Sequence, residues 1–269
     1  MSDTHEIQNR ENTVQETLII PLYARKVCSE LYPNLYRDET AVRLIDEIDY
    51  DFSEAEKNSR GLMQRFGSLE VAMRQNDLAF EVRDYLKSHP NAAVVNLGCG
   101  LDSTGRSCDN GNCKIYNLDF PDVIAVRNEL LPAGEREKNI PCDLNNTEWF
   151  RKIDSSNGAV FFASGVFYYF LTEQVKALVQ QMADAFPGSV LVFDAANRTA
   201  VKMIAKTWLK SAKIKDVGAY FAVSDAKSEL SPWDSRLQVT SHGYMLGYND
   251  LRDPSVSGFS VFSQRSATE

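Results

Sequence analysis

An α/β protein on a doubly wound, mostly parallel sheet is the fold this sequence predicts, and three observations carry the prediction. Strand-like and helix-like segments alternate five times between Ala93 and Asp194. Several strand segments are short, nearly uniform apolar runs, as central parallel strands are when both faces are covered. The first of them feeds a glycine loop, and the second closes on an acid.

In chain order, residues 1 to about 15 are polar and expected to be disordered. Glu16 to Arg25 opens an apolar segment, helical around Pro21. Residues 16 to 68 are rich in charge and aromatics, with no period-2 pattern, and are expected to form an all-helical cover. Leu69 to Ser88 is the clearest helix of this half and begins the sheet domain, expected over 69–269. Val71, Leu78, Val82 and Tyr85 share one stripe of it, and Arg74 lies on the same stripe. A guanidinium on the core side needs a partner. That partner is either an acid such as Asp77 or an anionic group in a cavity. The alternative is a stem that snorkels to water.

Ala93 to Leu97 reads as the first strand, Gly98-Cys99-Gly100 as its loop, and Lys114 to Asp119 as the second strand. Glycines at the carboxyl end of a strand let the backbone approach a ligand closely. An acid roughly 20 residues on suits the two hydroxyls of a ribose. A dinucleotide fingerprint wants a third glycine for its pyrophosphate. Ser103 stands in that place, and Gly105 falls two residues late. A cofactor with ribose and no phosphate, S-adenosylmethionine, therefore fits better than NAD. An NAD-dependent oxidoreductase on a similar sheet and a bare strand-to-helix turn are the alternatives.

Pro121 to Leu131 then reads as a helix, and Asn139 to Leu144 as a short third strand ending in Asp143. Gly158 to Ser164 is the fourth strand. Thr172 caps a helix with Val175, Leu178, Val179, Met182 and Phe186 on its stripe, stopped by Pro187-Gly188. Ser189 to Asp194 is the fifth strand. Thr199 to Lys213 is amphipathic, and its lysine face reads as solvated surface. Leu237 to Tyr244 and Gly258 to Gln264 read as two further strands without a crossover helix between them, which permits an antiparallel pair at the end of the sheet.

The net charge of −8, from 29 basic and 37 acidic residues, argues against nucleic acid or an anionic membrane as partner. The apolar run Ala159 to Leu171 is too short to span a bilayer. The five cysteines are odd in number and the start is polar, so a reducing cytoplasm is expected. Cys108 and Cys113 invite a zinc or disulfide reading. The three histidines lack matching spacing, so no metal is expected and the Asp109–Asn112 run reads as a turn.

Ligands of open α/β sheets sit at the carboxyl ends of the strands. Gly98 and Gly100, Asp119, Asp143, and Ser164-Gly165 follow one another there, one group per strand end. An acid beyond the third strand is placed to accept from an adenine amino group. Asp143 could otherwise simply cap the helix that follows.

Val95 to Ser103 (VNLGCGLDS), Leu118 to Ile124 (LDFPDVI), Cys142-Asp143-Leu144 and Ser164 to Tyr169 (SGVFYY) together resemble the leucine carboxyl methyltransferase family. Glu16 to Arg25 (ETLIIPLYAR) resembles its bacterial branch of polyketide O-methyltransferases. The resemblance covers about residues 15 to 195. It implies a class I, Rossmann-like methyltransferase fold: a doubly wound, mostly parallel seven-stranded sheet with an antiparallel last strand and a helical N-terminal cover. It also implies an S-adenosylmethionine-dependent O-methyltransferase acting on a small-molecule methyl acceptor. Position by position, Gly98, Cys99 and Gly100 would pack against the cofactor, and Asp119 with Phe120 would bind on its ribose side. Asp143 and Leu144 would frame the adenine, and Ser164-Gly165 the methionine part. Arg74 falls where the family has an arginine gripping a carboxylate, and Tyr169 matches a family tyrosine.

Two departures stand out. Ser164 replaces a common glutamate, which keeps open a non-catalytic relative that still binds the cofactor. Cys99 replaces an alanine. A carboxylate acceptor needs no general base, and Arg74 with Arg25 would orient it. A phenol or enol would profit from a base, and His242 reads as packing. Tyr23, Tyr168, Tyr169 and Trp208 are candidates to line the acceptor pocket.

Overall fold

In the computed structural model, residues 14–48, 50–53, 62–204 and 220–243 are described. They form two compact units that divide inside one long helix, between Asp77 and Leu78. The expected disorder of residues 1–15 falls almost wholly outside the described residues.

The first unit holds α1 (Val14–Leu31, with Pro21 inside it), α2 (Glu39–Glu47) and the start of α3 (Leu62–Ser88). Cys28, Tyr32 and Tyr36 pack there with Leu69, Ala72 and Met73 of α3. Asp38 begins α2 as its N-cap, and its Oδ1 accepts from the Ala41 amide at 2.8 Å. Its Oδ2 accepts from Arg25 Nε at 3.0 Å, an ion pair between two buried side chains.

The second unit is built on five strands: β1 (Ala93–Leu97), β2 (Lys114–Asp119), β3 (Glu137–Pro141), β4 (Ala159–Ala163) and β5 (Val190–Phe193). Their order is β3-β2-β1-β4-β5, and every pairing is parallel. The connection reverses direction at β1, so the crevice between β1 and β4 is the topological switch point. Both faces are covered, which is why β1 and β4 are buried at every position. On one face Val95, Tyr116 and Phe161 meet Trp149, Phe186 and the stripe Val175, Leu178 and Met182 of α6 (Thr172–Ala185). On the other, Val94, Ile115, Val160 and Phe162 meet Leu78, Val82 and Leu86 from the end of α3. Two helices join β1 to β3: the short α4 (Thr104–Ser107) and α5 (Pro121–Leu130).

Three expectations need correction. The third strand ends at Pro141: the Cys142 amide still donates to the Asp119 carbonyl at 2.8 Å, but Asp143 Oδ1 then accepts from the Asn145 amide at 2.9 Å and turns the chain. Residues 237–243 form no strand: Thr240 to Gly243 are exposed, with no neighbouring strand among the described residues. The sheet therefore has five described strands instead of seven, and the segment Gly258–Gln264 lies outside the described residues. The amphipathic helix starts one residue earlier than expected, as α7 (Arg198–Ile204); its continuation to Lys213 lies outside them too. The Asp109–Asn112 run is the turn its composition suggested: Asp109 Oδ1 accepts from the Gly111 amide and Asn110 Oδ1 from the Asn112 and Cys113 amides. Among the described residues no helix is long and apolar enough to cross a membrane.

The Asp38 pair gives a direct test of the first unit. Asp38→Ala should cost up to about 3–5 kcal/mol, since it removes the cap and the ion-pair partner of a buried guanidinium. Asp38→Asn keeps a capping oxygen and should cost less. Urea denaturation followed by circular dichroism measures both, and equal losses would mean that the cap contributes nothing.

Candidate active site at the strand ends

Register places the candidate residues in one row. Leu97 of β1 pairs with Leu118 and Ala163, Ala163 with Phe193, and Asp119 with Pro141. One residue further on, Asp119, Gly98, Ser164 and Asp194 therefore stand level across the carboxyl rim.

The β1 turn is tight because it uses left-handed backbone. Gly98 has φ 65° and Gly100 φ 44°. A Cβ built on Gly98 would lie 2.6 Å from Val166 Cγ2, in the turn after β4. Two strand-end turns thus approach each other at the switch point as only glycine permits. Cys99, between the glycines, is buried, and its amide donates to the Leu118 carbonyl at 2.9 Å. Burial pushes its thiol well above the ordinary range.

Asp119 turns toward this loop. Its Oδ2 accepts from the Gly100 amide at 2.8 Å, and its Oδ1 from the Phe120 amide at 2.8 Å. Burial raises its pKa above 3.8, while the two amides and Arg127 pull it back down and Asp122 pushes it further up. A carboxylate offers about four lone-pair positions, so two stay available for a ligand's hydroxyls. Phe120, 47% exposed, N-caps α5 next to the acid.

Asp143 is exposed in the loop after β3, and Leu144 is buried next to it. Leu144 and Asn145 line an open cleft of about 350 Å³ with Glu173, Gln174, Ala177, Leu178 and Gln181 of α6. Cys142 is half-buried, its thiol pushed up to about 12 by burial. After β4, Gly165 has φ 69°, and its amide donates to Asp194 Oδ1 at 2.6 Å. The turn continues into a short 3-10 helix, Phe167–Tyr169, where Tyr168 is buried and Tyr169 is 39% exposed.

The remaining sequence candidates belong to the first unit. Arg74 lies half-buried on α3, one turn after Glu70, whose carboxyl is raised by burial and lowered by the Arg74 charge. Arg25 is 4% exposed and engaged with Asp38. Tyr23 is buried and stacks on Phe52, with ring centroids 5.2 Å apart. Trp208 lies outside the described residues, and among them no cluster of three metal-ligating side chains occurs.

Sequence reasoning missed three residues of this rim. Asp194 closes β5 as Asp119 closes β2, so the same strand-end rule would have found it. Arg127 interrupts the buried stripe Val123, Ile124 and Leu130 of α5, the signal already used for Arg74. The fit of Val166 against Gly98 has no signature in sequence.

A glycine loop at a switch point, answered by an acid on the neighbouring strand, is the arrangement expected of a nucleoside-cofactor site on a class I methyltransferase fold. The chain belongs to the leucine carboxyl methyltransferase family, whose model matches residues 20–183. It is 27% identical over 183 residues to the tetracenomycin polyketide synthesis O-methyltransferase TcmP of Streptomyces glaucescens, across 68% of this chain and 66% of that one. It thus spans just under two thirds of that curated relative's length. Among solved structures, a Thermobifida fusca YX protein provisionally described as a methyltransferase shares the fold, with a TM-score of 0.50 at 19% identity. That likeness covers 80% of this chain and 81% of the other.

The Gly98 contact can be tested without any ligand. Gly98→Ala should destabilise the chain through left-handed strain of about 1–2 kcal/mol plus a steric cost against Val166 of about 1–3 kcal/mol. In a Val166→Ala background the steric part should vanish and the backbone part remain. Denaturation midpoints of the four chains give the coupling, and a zero coupling would mean that the two turns do not press on each other.

Proposed function

We propose that this protein is an S-adenosylmethionine-dependent O-methyltransferase acting on a carboxylate or acidic hydroxyl of a small molecule. One observation carries the reading: Asp119 is held by two backbone amides with acceptor capacity left over, level with a glycine cradle that a single Cβ would fill. Family membership and the relationship to a polyketide O-methyltransferase support it.

The donor supplies an electrophilic methyl on a sulfonium, and the leaving group is already activated. Gly98 and Gly100 would let the backbone approach it, and Asp119 would accept from its ribose hydroxyls. Phe120 would offer an apolar surface beside that acid, and Asp143 with Leu144 would border the adenine. Ser164 and Gly165 would border the methionine part. The protein's main task is alignment of the acceptor oxygen and exclusion of water, effects that supply roughly 7–11 kcal/mol in well-oriented systems. By the family resemblance Arg74 would grip a carboxylate through its planar fork. Arg25 is left out of the acceptor site, since Asp38 occupies it. An anionic acceptor fits a site in which no base is required.

Asp119→Ala should weaken binding of S-adenosylhomocysteine at least tenfold by calorimetry, since each hydrogen bond to a charged group is worth about 1.5–3 kcal/mol. Absence of binding by the unaltered chain would rule out the assignment. Hydroxyl donors favour the charged form of Asp119, so affinity should fall as pH drops through its pKa. Because that pKa is raised, the fall should begin above the pH expected from the ordinary 3.8. A pH-independent affinity would place the ribose elsewhere. With a panel of carboxylate and phenolic acceptors, labelled methyl donor should mark a carboxylate or acidic hydroxyl, and Arg74→Lys should slow transfer to a carboxylate more than to a phenol.

A further inference from the structure

We infer that Arg127 is a positioning residue for the cofactor loop: from within α5 it holds the Gly100 and Asp102 carbonyls and so fixes the backbone that a nucleoside cofactor would touch. The inference rests on the function proposed above.

Arg127 is 1% exposed, an expensive place for a guanidinium. Its hydrogen-bond partners are neutral oxygens, while the Asp119 and Glu137 carboxylates act on it only at longer range. Nη1 donates to the Gly100 carbonyl at 2.8 Å and to the Asp102 carbonyl at 2.8 Å, and Nε donates to Asn139 Oδ1 at 3.2 Å. An apolar side chain would fill the same volume at lower desolvation cost. What it could not do is grip two carbonyls of a turn that contains a left-handed glycine.

Gly100 is thereby held at both ends. Its amide donates to Asp119 and its carbonyl accepts from Arg127, and both residues come from the β2–α5 segment. Asp102 is held likewise. Its carbonyl accepts from Arg127, its Oδ2 from Asn96 Nδ2 at 3.2 Å, and its Oδ1 from the Thr104 amide and hydroxyl. The base of this clamp is a row of three strand asparagines. Asn96, Asn117 and Asn139 share one register level of β1, β2 and β3, and Asn117 Nδ2 donates to Asn139 Oδ1 at 3.1 Å. Asn96 and Asn117 are buried. Polar residues at core positions of central strands have a use here: they tie the guanidinium and the loop acid to the sheet.

The test measures affinity for S-adenosylhomocysteine by calorimetry beside the thermal midpoint, well below each variant's unfolding. Arg127→Met should lose at least about tenfold in affinity. Arg127→Lys, which keeps the charge without the fork, should recover part of that loss at a comparable midpoint. Asn139→Ala, which removes the Nε partner together with the Asn117 and Asn128 contacts of that side chain but leaves both carbonyl contacts of Arg127, should lose less than Arg127→Met. Lowered midpoints with unchanged affinity in Arg127→Met would overturn the inference and leave Arg127 a packing residue. Should Arg127→Met fail to fold, unaltered affinity in both Arg127→Lys and Asn139→Ala would overturn it equally. An unaltered chain that binds no S-adenosylhomocysteine brings down the functional reading and this inference together, an outcome distinct from variants that match a binding wild type.

Discussion

The hydrogen bond from the Gly100 amide to Asp119 ties the ends of two neighbouring strands together, and much of the site follows from it. A carboxylate at a half-buried rim is costly unless donors surround it. The Gly100 and Phe120 amides supply those donors without consuming all of its acceptor capacity. The acid is therefore anchored and still able to bind. Glycine is required at that loop because its left-handed backbone lies outside the comfortable range of other residues.

Across the switch point the same device recurs. Asp194, at the end of β5, accepts from the amide of Gly165, another left-handed glycine in the turn after the adjacent strand. Gly98 and Val166 meet between the two locks. The rim is thus a row of short turns, each fixed by an acid from its neighbour and mounted on fully buried strands. Rigid mounting of this kind suits a reaction whose main demand is alignment.

Beneath the rim the two faces of the sheet differ. One face is packed with aromatic and aliphatic side chains around Trp149, Phe161 and Phe186, whose rings contact one another edge-on, tilted and stacked. The other carries the asparagine row and the Arg127 guanidinium immediately under the glycine loop. Polarity is concentrated on the side where the loop backbone has carbonyls to satisfy. The opposite face follows ordinary close packing, with Trp149 Nε1 donating to the Leu144 carbonyl.

The sequence by itself determined the parallel sheet, the glycine loop and the acid that answers it. Each is local: an apolar run of strand length, a pair of glycines, a charged residue at a strand's end. It also held the trace of Arg127, as a cation on an apolar helical stripe like the one that carries Arg74. Only the tertiary structure decided which long-range partner each of these side chains meets. Arg25 and Asp38 are thirteen residues apart, and nothing in their spacing announces a buried pair. The register of β1 with β4 and β5 likewise brought Asp194 and Val166 to the rim, because strand alignment depends on how both faces of the sheet pack.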